Sequence, residues 1–141
     1  MHLASYKSTH PGLPGIFNRA VRWWLSGPYS HSAIVFSDGA VGTSTFATGV
    51  TLSTQPLLEP DFDFIKLDGD EPATRAWFEA NIGRPYDTLG LFGFVWRRGV
   101  ESKGKCFCSE ACAAALGFSE PHRIDPVLLH LIANQRTYAT K

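Results

Sequence analysis

Hydrophobic and polar positions recur with two different periods along the chain. A helical period over residues 15–27 ("GIFNRAVRWWLSG") predicts an amphipathic helix that ends at Gly27-Pro28. Its predicted apolar stripe is Ile16, Ala20, Trp23 and Trp24. Helical patterns return over residues 71–83, 109–117 and 125–134, with end signals that include Pro72, Gly83, Gly117 and the pair Asp125-Pro126. The pattern therefore predicts four helices in addition to the strands.

Alternating positions predict the strands. Residues 31–45 ("HSAIVFSDGAVGTST") indicate a β-hairpin that turns at Asp38-Gly39, and the segments "GVTLS" and "FDFIKL" indicate two more short strands. The N-terminal segment "MHLASYKSTHPGLPG" is expected to be mobile, and residues 86–96 are expected to form a helix or a broken helix. This order predicts one α+β domain over residues 1–141, with a small antiparallel sheet packed against helices.

Composition and charge exclude some classes of function from the expectations. The chain has 141 residues, 44% of them apolar and 13% aromatic, as expected of one globular domain. Thirteen basic residues balance thirteen acidic ones, so charge gives no reason to expect nucleic acid as a partner. No apolar run is long enough to span a membrane, and no secretory signal is visible. We therefore expect synthesis in the cytoplasm, and delivery by another route if the protein acts elsewhere.

All three cysteines fall within "KCFCSEACAAALG" (105–117). Cys108 precedes a predicted helix, where unpaired backbone N–H groups favour a thiolate and can hold a developing oxyanion. Cys112, one turn later, is expected to be buried as a small apolar residue. Together with His122, the three thiols are an alternative metal site. The C-x-C-x3-C spacing is not that of a common zinc site, so no metal and no cofactor are predicted.

His31, at the start of a predicted strand, is the best partner for this thiol. A third polar group should orient its imidazole, and the hairpin leaves two candidates. A two-residue loop places Ser44 on the face of His31. A three-residue loop, with Gly39 in the left-handed conformation, places Thr43 there instead. Because neither residue is acidic, the orienting group is expected to be a hydroxyl or a backbone group.

Three segments together resemble the circularly permuted branch of the papain-like NlpC/P60 superfamily, the YiiX-like amidases. They are "YSHSAIVFSDG" with the histidine, "GRPYDTLG" with a Gly-x-Pro-Tyr pattern, and "FCSEACAAALG" with the Cys-Ser-Glu helix start. The histidine precedes the cysteine, as in the permuted order, and the similarity covers roughly residues 29–117.

The resemblance implies a permuted papain-like fold in which Cys108 is the nucleophile, His31 the general base and Tyr86 a residue near the oxyanion. The third residue of this branch, often Glu, falls near Thr43, with Ser44 and Thr45 as local options. This chain therefore departs from the family pattern at that position. Glu110 matches the motif's glutamate, although the preferred explanation is a first-turn Glu that complements the helix dipole.

The expected activity is that of a cysteine peptidase or amidase acting through a thioacyl intermediate. The resemblance implies peptidoglycan stem peptides, other amides or lipid acyl esters as substrates, of which peptidoglycan stem peptides are the first choice. A small domain in which no cell-wall-binding module and no signal peptide is visible is expected to be a phage-encoded or injected enzyme, or an intracellular amidase. The alternative is a binding or virion protein of the same fold with little or no turnover. Five large aromatic residues are expected in the core rather than in a groove: Trp23, Trp24, Phe92, Phe94 and Trp96.

Overall fold

A computed structural model describes residues 1–9, 12–57, 59–86 and 107–139 of the chain. The strands are β1 His2–Tyr6, β2 His31–Val35, β3 Val41–Thr45, β4 Gly49–Ser53 and β5 Phe62–Lys66. The helices are α1 Leu13–Leu25, α2 Glu71–Asn81, α3 Cys108–Ala115 and α4 Pro126–Ala139, with short 3-10 helices at Glu59–Asp61 and Pro121–Arg123. The α+β class predicted from the sequence is confirmed. The helix or broken helix predicted over 86–96 lies, apart from Tyr86, outside the described residues.

The strands form one antiparallel sheet in the order β4-β3-β2-β1-β5. The prediction of a mobile N-terminal segment is wrong for residues 2–6, because β1 pairs with β2 on one side and with β5 on the other. Its five residues are too few to show a clear alternation, and both partner strands come later in the chain. The element order therefore begins with a strand rather than with a helix.

Asp125 and Gly117 mark helix ends as predicted, and Asp70 adds a cap that was not predicted. Asp70 caps α2 by accepting a hydrogen bond from the Ala73 amide at 2.9 Å, and Asp125 does the same for α4 from the Leu128 amide at 2.8 Å. After α3 the chain turns at Gly117 (φ 79°), and the amides of residues 117 and 118 bond back to Ala114 and Ala113. This is a Schellman motif. In the described part of the chain, no helix combines the length and the apolar character needed to cross a bilayer.

Helix α3 packs against α2 and α4, and all three helices pack against the sheet around the main core. Leu3 and Ile34 from the strands are fully buried there, together with Phe78 of α2, Cys112 of α3 and Leu129 of α4. The prediction that Cys112 is a buried core thiol is therefore confirmed. Because the buried face of α3 is otherwise alanine and serine, its backbone approaches β2 and β3 closely.

A chain of polar side chains, buried at Ser5 and Tyr29, fastens α4 to the sheet. His130 Nδ1 lies 2.9 Å from the hydroxyl of Ser5, which is fully buried in β1. Its Nε2 lies 3.1 Å from the Tyr29 hydroxyl, which donates a hydrogen bond of 2.8 Å to Asp63 in β5. The carboxylate and burial together raise the pKa of Tyr29 to about 12, so the phenol stays a donor. These bonds fix the position of Tyr29, which lies two residues before His31.

The apolar stripe predicted for α1 is not its buried side. Ile16 is 60% exposed and Trp23 is 78% exposed, so the prediction of a core position for Trp23 is wrong. Polar contacts hold α1 instead, because the Arg22 guanidinium donates to the Lys7 carbonyl and to the Thr9 hydroxyl. The side chain of Trp24 and the residues Phe92, Phe94 and Trp96 lie outside what the structure describes.

The segment after α2 returns along the edge strand β4. The Val50 amide donates to the Arg84 carbonyl at 2.9 Å, and the Gly83 amide donates to the Val50 carbonyl at 2.9 Å. Gly49, with φ 67°, lies so close to the Arg84 carbonyl that a Cβ atom would overlap it. Glycine is therefore required at position 49, both for its backbone conformation and for this approach.

Replacement of Gly49 by alanine tests this edge pairing. We expect Gly49→Ala to lower the free energy of unfolding by about 2–4 kcal/mol, since left-handed strain and steric overlap add. Gly39→Ala is the matched control, because Gly39 also has a positive φ (86°) but open space around it. It should cost only about 1 kcal/mol. Urea unfolding measures both values, and equal losses would contradict the close approach at Gly49.

Candidate active site

The hairpin between β2 and β3 has the three-residue loop. The Phe36 amide bonds to the Ala40 carbonyl at 2.8 Å, and Gly39 has φ 86°. Ala33 therefore pairs with Thr43, and Thr43 shares the face of His31. Ser44 lies on the opposite face and is fully buried. Of the two orienting candidates that the sequence left open, the structure brings Thr43 to the imidazole.

The hydrogen bonds of Thr43 assign the tautomer of His31. Its hydroxyl lies 2.8 Å from the Ser32 carbonyl, which can only accept, and 3.0 Å from His31 Nε2. Since the hydroxyl has one proton and gives it to the carbonyl, its oxygen accepts from an Nε2–H group. The other ring nitrogen, Nδ1, is then unprotonated and can accept a proton. Burial lowers the pKa of His31 to about 4, which agrees with a neutral ring.

Cys108 is the first residue of α3. The Phe107 carbonyl accepts the first helical hydrogen bond from the Ala111 amide at 2.8 Å, so the amides of Cys108 and Ser109 have no acceptor within the helix. Both amides are oriented to stabilise a negative charge on the Cys108 sulfur. Glu110 accepts from the Phe107 amide at 3.2 Å, the first-turn role that the sequence also allowed.

Ser32 connects this sulfur to the histidine strand. The pairing of β2 with β3 runs from Val35–Val41 to Ala33–Thr43, and Ser32 is the next residue of β2. Its backbone amide is within hydrogen-bonding reach of the Cys108 sulfur, while its carbonyl accepts from Thr43. The fold therefore brings the thiol at residue 108 to the residue directly after His31. Sequence reasoning missed the role of Ser32, because a backbone group leaves no signal in the residue type.

Tyr86 reaches the same sulfur from a third direction. Its hydroxyl is placed to donate a hydrogen bond to Cys108, and its ring packs edge-on against Phe107 with ring centroids 5.7 Å apart. The pairing of residues 83–84 with β4 places Tyr86 there. Of the four predicted site residues, Cys108 and Tyr86 thus meet at the sulfur and His31 meets Thr43, and the Ser32 peptide unit contacts Cys108 through its amide and Thr43 through its carbonyl. Cys106 of the alternative metal site lies outside the described residues. Among the described ones, no three His, Cys, Asp or Glu side chains cluster as metal ligands.

Burial, however, outweighs the groups that favour a thiolate. Cys108 is 3% exposed, and desolvation raises the pKa of its thiol to about 11 despite the amides and the Tyr86 hydroxyl. The helix-start amides lower the pKa of the thiol, as expected from the sequence, but burial raises it by more in the unliganded protein. Its resting state contains a neutral thiol and a neutral imidazole.

Two further hydroxyls beside His31 are buried at a cost. The Ser30 and Ser32 hydroxyls, on side chains that are 8% and 0% exposed, have no hydrogen-bond partner among the described residues. An unsatisfied buried polar group costs about 1–3 kcal/mol. Such groups are a reason to look for function in their surroundings.

The tautomer of His31 is testable by substitution of its orienting residue. In the wild type, we expect the neutral ring to carry its proton on Nε2. Thr43→Val keeps the branched shape but removes the acceptor, so the Nδ1–H form should become populated, while Thr43→Ser should retain the wild-type form. Long-range ¹H–¹⁵N NMR of the imidazole distinguishes the two forms. An unchanged ring in Thr43→Val would contradict the assignment.

The shifted pKa values predict the dependence of stability on pH. His31 has its ordinary pKa of 6.5 when unfolded and about 4 when folded, so the unfolded chain binds more protons between these values. The free energy of unfolding should therefore fall as the pH drops from 6.5 to 4. The pKa of Cys108 rises from 9.0 to about 11 on folding, so stability should also fall as the pH rises from 9 to 11. Denaturant titrations should show that His31→Gln reduces the loss of stability on the acid side only, and that Cys108→Ala reduces the loss on the alkaline side only.

Comparisons with known proteins do not place the chain in a family: no family model, no curated protein and no solved structure matches it. The resemblance to the permuted NlpC/P60 branch stays a prediction from three motifs. Function is therefore argued from the geometry around Cys108.

Proposed function

We propose that this chain is a cysteine hydrolase with a permuted papain-like fold, in which Cys108 is the nucleophile and His31 the general base. The observation that carries the proposal is the convergence on the Cys108 sulfur of the Ser32 amide and the Tyr86 hydroxyl, one residue along β2 from the His31 imidazole that contacts Thr43. These groups come from β2, β3, α3 and the segment after α2, so local sequence does not explain why they meet.

The resting protonation states fit general-base catalysis. With the pKa of the thiol at about 11 and that of the imidazole at about 4, a thiolate–imidazolium pair is scarcely populated before substrate binds. The proton therefore passes from the sulfur to Nδ1 of His31 as the sulfur attacks the carbonyl carbon of the substrate. The Nε2–H···Thr43 bond keeps the ring in the orientation and tautomer that this transfer needs.

Bond making and breaking then balance without a cofactor. The carbonyl oxygen becomes an oxyanion that the free Cys108 amide and the Tyr86 hydroxyl can stabilise. Collapse of this intermediate breaks the carbon–nitrogen bond, and the imidazolium gives its proton to the leaving amine. Water, deprotonated by the same imidazole, attacks the thioester and releases the acid and the free thiol.

The substrate class that we propose is the stem peptide of peptidoglycan. Its support is the resemblance of the three motifs to NlpC/P60 amidases. The chemistry itself requires only an acyl group that reaches the Cys108 sulfur.

A second candidate is a binding protein of the same fold with little turnover. Three observations favour it: the 3% exposure of Cys108, its raised pKa, and an orienting group at Thr43 that bears no charge. An uncharged hydroxyl does less than a carboxylate to stabilise the imidazolium that forms during the reaction. This candidate predicts binding of the same substrate without cleavage.

Digestion of purified peptidoglycan separates the candidates. We expect the wild type to release new peptide fragments and Cys108→Ala to lower their release by about 10³-fold or more. Cys112→Ala is the matched control, because it removes a thiol one turn further along α3 that is buried in the core. Mass spectrometry of the soluble fragments is the measurement.

Each outcome of this digestion tests a different part of the proposal: the nucleophile, the turnover or the substrate class. Equal release by Cys108→Ala and the wild type would remove the nucleophile assignment. A wild type that co-sediments with peptidoglycan but releases nothing would favour the binding protein. A wild type that neither binds nor cleaves would remove the substrate class.

A further inference from the structure

Three aromatic rings form a continuous wall that leads outward from Cys108. Phe107 precedes α3, Tyr86 follows α2, and Phe46 lies in the turn between β3 and β4. The Tyr86 ring packs edge-on against Phe107 at 5.7 Å and against Phe46 at 6.4 Å between centroids. Because the hydroxyl of Tyr86 reaches the Cys108 sulfur, we name Phe107, Tyr86 and Phe46 the aromatic wall of the site.

Phe46, at the outer end of the wall, has no role in the core. Its side chain is 77% exposed, whereas Tyr86 and Phe107 are partly buried. The turn that carries it is fixed by the Thr45 hydroxyl, which accepts from the Thr48 amide at 3.3 Å and lies 2.7 Å from the Thr48 hydroxyl. An apolar ring held in water beside a reactive residue gains contact area only when another molecule covers it.

We propose that Phe46 is a specificity-determining residue, which binds an apolar group of the substrate on the far side of Tyr86 from the Cys108 sulfur. This inference rests on the proposed function, because it requires that a substrate reaches Cys108. The group that fits is aliphatic or aromatic and lies a few bonds from the scissile bond, since one ring, that of Tyr86, separates Phe46 from the Cys108 sulfur. A substrate without such a group loses this contact with Phe46 but is cleaved by the same mechanism.

The location of Phe46 distinguishes it from another exposed phenylalanine. Phe64 is 41% exposed on β5, at the opposite edge of the sheet from β4, and its ring packs against Phe62 at 6.2 Å. Truncation of Phe64 removes an exposed ring of the same kind away from the aromatic wall. It is therefore the matched control.

The test compares two alkylating reagents on the full chain. Iodoacetamide and N-(2-phenylethyl)iodoacetamide present the same reactive carbon, and only the second carries an apolar ring. Their second-order rate constants at Cys108 are measured at pH 9, where more thiolate forms, with fragment-ion mass spectrometry to separate the three cysteines. The ratio of the two constants cancels any change in the reactivity of the thiol itself.

We expect the phenylethyl reagent to react faster at Cys108 in the wild type and in Phe64→Ala. Phe46→Ala should reduce this preference about three- to tenfold, and Phe46→Tyr should restore it. A preference that survives in Phe46→Ala, or none in the wild type, would overturn the inference while leaving Cys108 as a reactive thiol. No modification of Cys108 by either reagent would overturn both the inference and the proposed function.

Discussion

The candidate site depends on one peptide unit, that of Ser32, at the point where the pairing of β2 with β3 runs out. Its amide is within reach of the Cys108 sulfur, and its carbonyl accepts the Thr43 hydroxyl proton. This second bond makes the Thr43 oxygen an acceptor and so decides which nitrogen of His31 is protonated. Both halves of the proposed Cys–His pair are thus positioned by backbone atoms of a residue whose side chain takes no part.

The small residues of α3 account both for its close packing against the sheet and for the desolvation of the Cys108 thiol. Alanines on the buried face of α3 let its first turn approach β2, which brings Cys108 to Ser32. The same approach leaves Cys108 3% exposed and raises the pKa of its thiol to about 11, although two helix amides and Tyr86 oppose the shift. A charge at this position is costly because water is excluded from it. Under the proposed function, this favours proton transfer during attack over a preformed ion pair.

Most of the regular elements could be predicted, because their signals are local. Asp125 and Gly117 mark a helix start and a helix end by hydrogen bonds within a few residues, and the structure contains both. Strand β1 was missed because five residues show little alternation, and its position in the sheet comes from β2 and β5. The spacing of Ile16 and Trp23 predicts that they lie on the buried side of α1, but both are exposed. Arg22 holds this helix through polar contacts instead.

The sequence by itself determined the chemical types at the site: a thiol at the start of a small-residue helix, a histidine at the start of a strand, and a hydroxyl in place of a carboxylate in the neighbouring strand. It left the choice between Thr43 and Ser44 open, because a change of one residue in the hairpin loop exchanges the two faces of the strand. Only the tertiary structure decided that choice, the tautomer of His31 and the neutral state of Cys108. Loop conformation, backbone hydrogen bonds and exclusion of water depend on segments far apart in the chain, and no single segment encodes them.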